Sequence, residues 1–385
     1  MTRAASLIMC CVKRLSLGGF ILLTGCGSVS ALPLKVNPLT AAERVLVVVN
    51  KRSSASETVG EYYMRRRGIA RSRLVYIDVP VEDEISQLAF QSKLLSPIRA
   101  AIESLTVRTD FIVLTTGTPI RVGGHNGYSV DALLAGMNLS IPPMVGLDPE
   151  WLMRYRNPYF GSREPFNSDR FAIYLVTRLD CGVVRDCLAL VDRSIEARPT
   201  RGPFFFDAAT PRKSDDAYEG LNRSLVAAAF AIQSMTLEAE LDTTPRFVAP
   251  VSPVMGYASW GSNDAKFDSI AYHAVRFLPG ALAETFVSTS ARTFRPTTGG
   301  QSRIVDLIAQ GVTGVKGYVS EPYTFALTNP EILFDRYVHG FTLAESFYAA
   351  SRMILWKDII IGDPLCSPYP YNPIVNSPGQ SPSAR

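Results

Sequence analysis

The stretch Val254-Met-Gly-Tyr-Ala-Ser-Trp-Gly-Ser-Asn-Asp264 begins with apolar residues and ends with polar ones. Its first part, up to Ser259, is typical of a buried strand. Its second part, Trp260 to Asp264, is rich in residue types that follow strand ends. Parallel α/β sheets bind their ligands in the crevice outside the carboxyl ends of the strands. The sequence therefore predicts that this stretch lies at the mouth of a functional site.

Eight further apolar segments resemble buried strands, and several also end in polar residues. They are residues 45–50, 74–78, 111–115, 171–176, 204–207, 277–287, 312–319 and 359–361. Helical patterns separate most of them. One, over 85–104, is interrupted by Pro97, and a short one, over 132–136, has Asp131 placed to cap it. This alternation predicts an α/β fold with a mostly parallel sheet and flanking helices.

Changes in composition divide the 385 residues into five parts. Residues 1–25 are a predicted signal peptide, and 26–40 are a linker. A smaller α/β subdomain is expected over 41–165, and a second α/β domain over 166–369. The loop-rich segment 120–165 is long enough to cover a site or to join the two. The Pro/Ser/Asn-rich tail, 370–385, is predicted to be disordered.

The N-terminal segment has the pattern of an export signal. Basic residues, Arg3, Lys13 and Arg14, flank an apolar run that is too short to span a membrane. The run ends in Leu23-Thr-Gly-Cys26, which resembles a bacterial lipobox and predicts lipidation at Cys26 on the periplasmic face of the outer membrane. The alternative is cleavage after Ala31, which gives a soluble periplasmic protein.

The charge balance argues against a nucleic-acid partner. Removing the three basic residues of segment 1–25 from the total of 39 leaves 36, against 35 acidic residues. A nearly neutral chain offers no electrostatic reason to bind nucleic acid. The expected membrane contact is only through the N-terminal lipid.

The six cysteines have different expected fates. They are Cys10, Cys11, Cys26, Cys181, Cys187 and Cys366. The first two leave with the signal peptide, and Cys26 is the lipidation candidate. An oxidising periplasm permits a Cys181–Cys187 disulfide, and buried unpaired thiols are the alternative. The three histidines lack ligand spacing, so no metal or other cofactor is predicted.

Motifs along most of the chain resemble an uncharacterised family of exported bacterial proteins. The matching motifs are Val45-Leu-Val-Val-Val-Asn50, Leu114-Thr-Thr-Gly-Thr-Pro119, Ser129-Val-Asp131, Leu175-Val-Thr-Arg-Leu-Asp180, Gly256-Tyr-Ala-Ser-Trp-Gly-Ser-Asn-Asp264, Gly311-Val-Thr-Gly-Val315, Glu321-Pro-Tyr323 and Gly362-Asp-Pro-Leu365. That family occurs mainly in species with the exosortase/PEP-CTERM surface-sorting system. The resemblance implies an envelope protein or polysaccharide as partner, and no known activity.

From about Phe171 the order of elements is also similar to that of gingipain-type cysteine peptidases, which have a caspase-like fold. Thr177-Arg178 matches a Gly-Arg pair of that family, and Gly362-Asp363-Pro364 matches its closing turn. Trp260 stands where the histidine base is expected, and Ser288 where the cysteine nucleophile is expected. Because thiolate chemistry needs both groups, the resemblance implies the fold without the His–Cys peptidase.

Several residues remain candidates for catalysis. Ser288 with His273 as base, and Asp264 or Asp268 orienting the base, would form a serine hydrolase. Glu321, before Pro322, could be an acid or base, or could bond loop amides.

Other residues are candidates for ligand binding, each with a structural alternative. They are Trp260, Ser262, Asn263, Asp264, Arg178 and Arg292. Trp260 could stack on a sugar or fill the core. Residues 262–264 could bind a ligand or only form a turn. Arg178, with Asp180, could clamp a carboxylate or form a buried ion pair. His125, in a glycine-rich loop, is an outside candidate for a ligand contact.

The leading functional hypothesis is a non-catalytic binding or accessory factor of the cell envelope. One alternative is a hydrolase with a rearranged site around Asp264, Ser288, Arg292 and Glu321. The other is a carbohydrate-binding protein that uses Trp260.

Overall fold

The computed structural model describes residues 40–139, 154–208, 213 and 215–371. The signal segment, the lipidation candidate Cys26 and the tail beyond residue 371 lie outside the described residues, so these three remain predictions. Within the described ranges, no helix has the length and apolar character needed to cross a membrane.

Thirteen strands are found in the described ranges, and ten of them form one sheet. The strands are β1 Val45–Asn50, β2 Leu74–Ile77, β3 Glu84–Ile85, β4 Phe111–Thr115, β5 Arg121–Val122, β6 Tyr128–Ser129, β7 Leu175–Leu179, β8 Phe204–Asp207, β9 Ala239–Asp242, β10 Val254–Ser259, β11 Phe277–Thr285, β12 Gly314–Tyr318 and β13 Asp358–Ile361. The large sheet has the order β2-β1-β4-β7-β13-β12-β11-β10-β8-β9, and β3-β5-β6 form a small second sheet. All six residues of β1 and of β10 are buried, as expected for strands covered on both faces.

Neighbouring strands of the large sheet are parallel except around β13. This strand runs antiparallel to β12, with Val315 opposite Ile361, and meets β7 through the single pair Ile361 and Arg178. It separates two sets of parallel strands, β2-β1-β4-β7 and β12-β11-β10-β8-β9. The predicted α/β fold with a mostly parallel sheet and flanking helices is confirmed. The sheet takes strands from both sides of residue 165, and the division into two subdomains there stays a prediction.

The helices are α1 Ser54–Arg67, α2 Gln87–Ala89, α3 Ser96–Ser104, α4 Val130–Ala135, α5 Ser168–Phe171, α6 Val184–Glu196, α7 Asp216–Ser234, α8 Ser269–Ala274, α9 Ile304–Ala309, α10 Pro330–Val338 and α11 Leu343–Ala350. Local signals explain several ends. Ser53 caps α1 by accepting from the Ser56 amide, and Gly68 ends it in the left-handed conformation, at φ 66°. Residues 90–95 form a π-helix that joins α2 to α3 without a break, so Pro97 lies inside a continuous helical segment, two residues after the π-helix.

Two local predictions were wrong. The strand expected over 171–176 begins later, at Leu175, because α5 occupies Ser168–Phe171 and Ala172 closes it in the left-handed conformation. The shift places Arg178 inside β7. Asp131 does not cap the short helix: Ser129 does, by accepting from the Ala132 amide. Asp131 instead lies in the first turn of the helix and pairs with Arg178.

Candidate functional site

Trp260 follows β10 directly and is completely enclosed. Its side chain is only 1% exposed, and its indole Nε1 donates to Asn222 Oδ1 at 2.7 Å. One face stacks on Tyr218, with ring centroids 5.2 Å apart, and Phe286 meets it edge-on at the same distance. Indole in this setting packs the core and presents no open face to a sugar ring.

Ser262 and Asn263 hold the β11–α9 loop, residues 286–303, against the end of β10. Ser262 and Ser302 exchange two hydrogen bonds, each from a backbone amide to the other's hydroxyl, at 3.1 and 2.9 Å. Asn263 Nδ2 donates to the Phe286 carbonyl at 2.6 Å, and Asn263 Oδ1 accepts from Gln301 at 2.9 Å. These side chains are therefore used in positioning the loop.

Arg292 and Asp264 also have local structural contacts. Arg292 lies inside the β11–α9 loop and donates to the carbonyls of Thr289, Gly299 and Gln301, between 2.8 and 3.1 Å. Asp264 is completely buried, and its Oδ1 accepts from the Lys266 amide at 2.6 Å, which is a turn contact.

The structure does not bring Ser288 and His273 together as a nucleophile and base. Ser288 is half-buried after β11, and no hydrogen bond joins its hydroxyl to another group of the described residues. His273 is more than half exposed on α8, where its Nδ1 hydrogen-bonds the Ser269 carbonyl at 2.7 Å. Its Nε2 lies 3.9 Å from Asp306, a carboxylate of α9. A serine without a hydrogen-bonded base is a weak nucleophile.

Glu321 is exposed and orders the loop after β12. Its Oε1 accepts from the amide of Tyr323 at 2.9 Å. The backbone of Tyr323 has φ 61° and ψ 159°, a conformation that residues other than glycine rarely adopt. His125 lies exposed in the β5–β6 loop, in which the Gly127 carbonyl accepts from the Ser320 hydroxyl, just after β12, at 2.8 Å.

Arg178 belongs to a buried ionic cluster. Its Nε and Nη2 donate to Asp131, at 2.5 to 3.1 Å, and its Nη1 lies 3.2 Å from Asp180 Oδ2. The remaining donors reach the carbonyls of Thr118 and Pro119 at 2.8 and 2.9 Å. All five N–H groups are thus engaged, and none is left for a ligand.

Burial dominates the electrostatics of this cluster. Desolvation raises the pKa of both Asp131 and Asp180, and the Arg178 guanidinium opposes that rise. For Arg178 itself, the charges of the two carboxylates outweigh desolvation and raise the pKa. We therefore treat the guanidinium as a permanent charge that holds two carboxylates.

A cleft of about 230 Å³ lies at the carboxyl ends of β1, β4 and β7, and we call it the switch-point cleft. After β1 the chain forms β2 on one side of β1 and later β4 on the other side. The strand order therefore reverses at β1. Open α/β sheets bind ligands at such a reversal. Its polar and charged lining residues are Ser53, Glu82, Asp83, Thr116, Thr118, Asp180 and Arg295. The sequence signal for this cleft is the Thr116-Gly-Thr-Pro119 run, in which hydroxyl groups and a glycine directly follow a buried strand.

Arg295 of the β11–α9 loop closes one side of this cleft. Its guanidinium donates to the Val81 carbonyl and lies 3.2 Å from Glu82 and 3.6 Å from Asp83. At the floor, Asn50 Nδ2 donates to the carbonyls of Val79 and Gly117, at 3.1 and 2.8 Å. Gly117 has φ 79°, and a Cβ there would come within 2.6 Å of Ser53 Oγ, so the turn requires glycine.

Glu284 is a buried carboxyl that sequence reasoning missed. It lies opposite Lys316 in the β11–β12 register and accepts from the Tyr318 hydroxyl at 3.1 Å. Desolvation raises the pKa of Glu284 to about 8, although Lys316 opposes the rise. Lys316 instead contacts Ser351 Oγ at 2.7 Å and Asp358 at 3.1 Å. At neutral pH this carboxyl is therefore mostly protonated.

The cysteines of the described residues offer no exposed thiol. Cys181 and Cys187 are joined by a disulfide, with Cα atoms 5.7 Å apart. Cys366 is free and completely buried, and burial raises its pKa to about 12. Within the same ranges, no three His, Cys, Asp or Glu side chains gather as metal ligands would.

Comparison with known proteins gives distant likeness in structure alone. Neither a protein-family model nor a curated protein sequence matches the chain. A solved protease structure matches 86% of this chain and 80% of its own, with 10% identity and a TM-score of 0.47. The complex of the Porphyromonas gingivalis RgpB pro- and mature domains matches 84% and 79%, with 12% identity and a TM-score of 0.44. The chain is similar to these in outline, and likeness at this level says nothing about its chemistry.

Proposed function

We propose that this protein is an exported, non-catalytic binding or accessory factor of the cell envelope, built on a scaffold similar to that of a peptidase. The observation that supports it most is the filling of the strand ends of β10 and β11. Trp260 fills the core where a base is expected, and Ser288 has no hydrogen-bonded base among the described residues. Acyl transfer needs an activated nucleophile.

The state of the cysteines supports the same proposal. Two are bonded to each other, and the pKa of Cys366 lies far above the range of a reactive thiolate. The side chains proposed for ligand contact after β10 are used in holding the β11–α9 loop. Within the described residues, neither the surroundings of Ser288 nor those of Trp260 favour a serine hydrolase or a sugar-binding protein over a non-catalytic factor.

The test is turnover by the purified chain without its signal segment. It is incubated with a fluorogenic peptide library, with a thiol-alkylating peptidase probe and with a fluorophosphonate. We expect no peptide cleavage and no stoichiometric labelling. Thiol-dependent cleavage would overturn the proposal, and so would fluorophosphonate labelling that is lost in Ser288→Ala.

The proposed location of the protein in the cell rests on the sequence and has a separate test. We propose that Cys26 carries a lipid and holds the protein on the periplasmic face of the outer membrane, near an envelope protein or polysaccharide partner. In cells fed labelled palmitate, the full chain should be labelled and Cys26→Ser should not. Persistent labelling of Cys26→Ser would refute lipidation at this residue.

A further inference from the structure

A second cavity, of about 300 Å³, lies between α7 and the segment that follows β12. We call it the α7 pocket. One wall is formed by α7, and the other by the segment after β12 together with Arg352. The lining residues are Ala217, Gly220, Leu221, Ser224, Thr324, Phe325, Leu327, Thr328, Asn329 and Arg352. It is separate from the switch-point cleft, with which it shares no lining residue.

The charge of the α7 pocket comes from one arginine. Arg352 is exposed, and its guanidinium lies 5.7 Å from the Phe160 ring centroid. Within the described ranges no carboxylate lies within 4 Å of that guanidinium, and its N–H groups make no hydrogen bond, in contrast to the saturated Arg178. No lining residue of the pocket is acidic. An unpaired guanidinium at a cavity wall favours an anion.

The rest of the wall suits the same kind of ligand. Thr324 brings a hydroxyl group, and Leu221, Phe325 and Leu327 bring apolar surface. The first turn of α7 and Asn329, the N-cap of α10, place two helix N-termini at the pocket. Asp215 and Asn329 cap these helices, and Asp216 and Glu219 lie in the first turn of α7, so Arg352 alone supplies the attraction for an anion. Asp215, which caps α7, is not among the lining residues.

We infer that the α7 pocket binds a small monocarboxylate with an apolar body, and that Arg352 holds the carboxylate. A planar guanidinium matches the two oxygens of a carboxylate, and a single cation balances a single negative charge. Leu221, Phe325 and Leu327 cover the apolar body. This site does not depend on whether the protein is catalytic.

The test uses benzoate as the probe and the full mature chain. Benzoate binding is measured by calorimetry at low and at physiological salt. We expect benzoate to bind, its neutral amide benzamide to bind at least about tenfold more weakly, and added salt to weaken the benzoate complex. Arg352→Gln should weaken benzoate by about tenfold or more, because a charge-assisted bidentate contact is lost.

A matched control separates the pocket from general charge. Arg246 is also exposed and makes no ion pair within the described ranges, and Arg246→Gln removes the same charge elsewhere; it should leave benzoate affinity unchanged. Ser224→Phe, which fills the pocket from the partly exposed face of α7, should abolish binding. The melting temperatures of the variants show that each is folded.

Four results would overturn the inference: no benzoate binding by the unaltered chain, equal affinity for benzamide, equal effects of the two arginine variants, or displacement of benzoate by lower concentrations of inorganic phosphate. None of them bears on peptidase activity. Conversely, turnover of a peptide would overturn the proposed function and leave this pocket standing.

Discussion

The strand ends of the two parallel sets differ in what fills them. At β1, β4 and β7 the chain leaves a cleft with hydroxyl and carboxylate groups around it, and one of these carboxylates, Asp180, pairs with the buried Arg178. At the ends of β10 and β11 the corresponding space is filled by aromatic side chains and by hydrogen bonds that hold the β11–α9 loop. The difference teaches that a polar sequence after a strand does not by itself mark a site. What matters is whether those polar groups already have partners in the fold.

The largest expected effect concerns the buried ionic cluster of Arg178 beside the switch-point cleft. Arg178→Met should lower the free energy of unfolding by about 3–5 kcal/mol, because it leaves Asp131 and Asp180 buried without their cation. Arg52→Met is the control, since Arg52 pairs with Asp78 at the surface, with a side chain half exposed. It should cost less than about 1 kcal/mol. Urea denaturation measures both, and equal losses would show that Asp131 and Asp180 do not depend on Arg178 for their charge balance.

The next effect concerns the filled end of β10. Trp260→Ala should cost about 3 kcal/mol, because a large cavity opens between Tyr218 and Phe286 and the Asn222 amide loses its donor. Phe230→Ala removes an aromatic ring that is 62% exposed and should cost much less. If Trp260→Ala left the midpoint of unfolding unchanged, the indole would not be a packing element, and a ligand role would return.

A pH series tests the buried carboxyl of the second set. The pKa of Glu284 is about 8 in the folded protein and has an ordinary value of 4.5, so the folded state binds the extra proton between these pH values. Stability contributed by that proton is present below about pH 4.5 and is lost as the pH rises to about 8. Glu284→Gln should remove this loss, which amounts to at most about 1.4 kcal/mol for each pH unit. Parallel stability curves for the two proteins from pH 5 to pH 8.5 would contradict the assignment.

The smallest effect concerns the contact that joins the two sets across the switch-point cleft. Arg295→Gln should change the free energy of unfolding by less than about 1 kcal/mol, because Arg295 is half exposed. Amide hydrogen exchange at residues 81–83 and 292–297 should nevertheless become faster. Arg276→Gln is the control, since Arg276 bonds only carbonyls near its own position. Unchanged exchange in Arg295→Gln would mean that the loop is held by its other contacts alone.

Sequence reasoning predicted those features that depend on neighbouring residues. The apolar runs at 45–50, 111–115 and 254–259 are strands because their side chains are buried on both faces. The edge strand β9 was missed, since Ala239–Asp242 alternates charged and apolar residues at the edge of the sheet and lacks an apolar run. Four residues are too few for the alternation of apolar and polar side chains to identify a strand.

The candidate site was harder because its contacts join distant parts of the chain. Asp131 and Arg178 are 47 residues apart, and Trp260 and Asn222 are 38 apart. No local pattern states that these pairs meet. The α7 pocket likewise gathers residues from 217 to 352. The sequence therefore predicted most strands of the large sheet, and it could not predict which polar residues near their ends make tertiary contacts.

The position of β13 has a consequence for the order in which the protein can be completed. This strand is last along the chain among those described, yet it lies in the middle of the sheet, between β7 and β12. A chain that emerges from its N-terminus must therefore keep two hydrogen-bonding edges unsatisfied until residue 361 has appeared. Completion of the sheet joins segments that are far apart in the chain, which makes it slow. Until then, those two edges are where a chaperone would bind and where premature aggregation would begin.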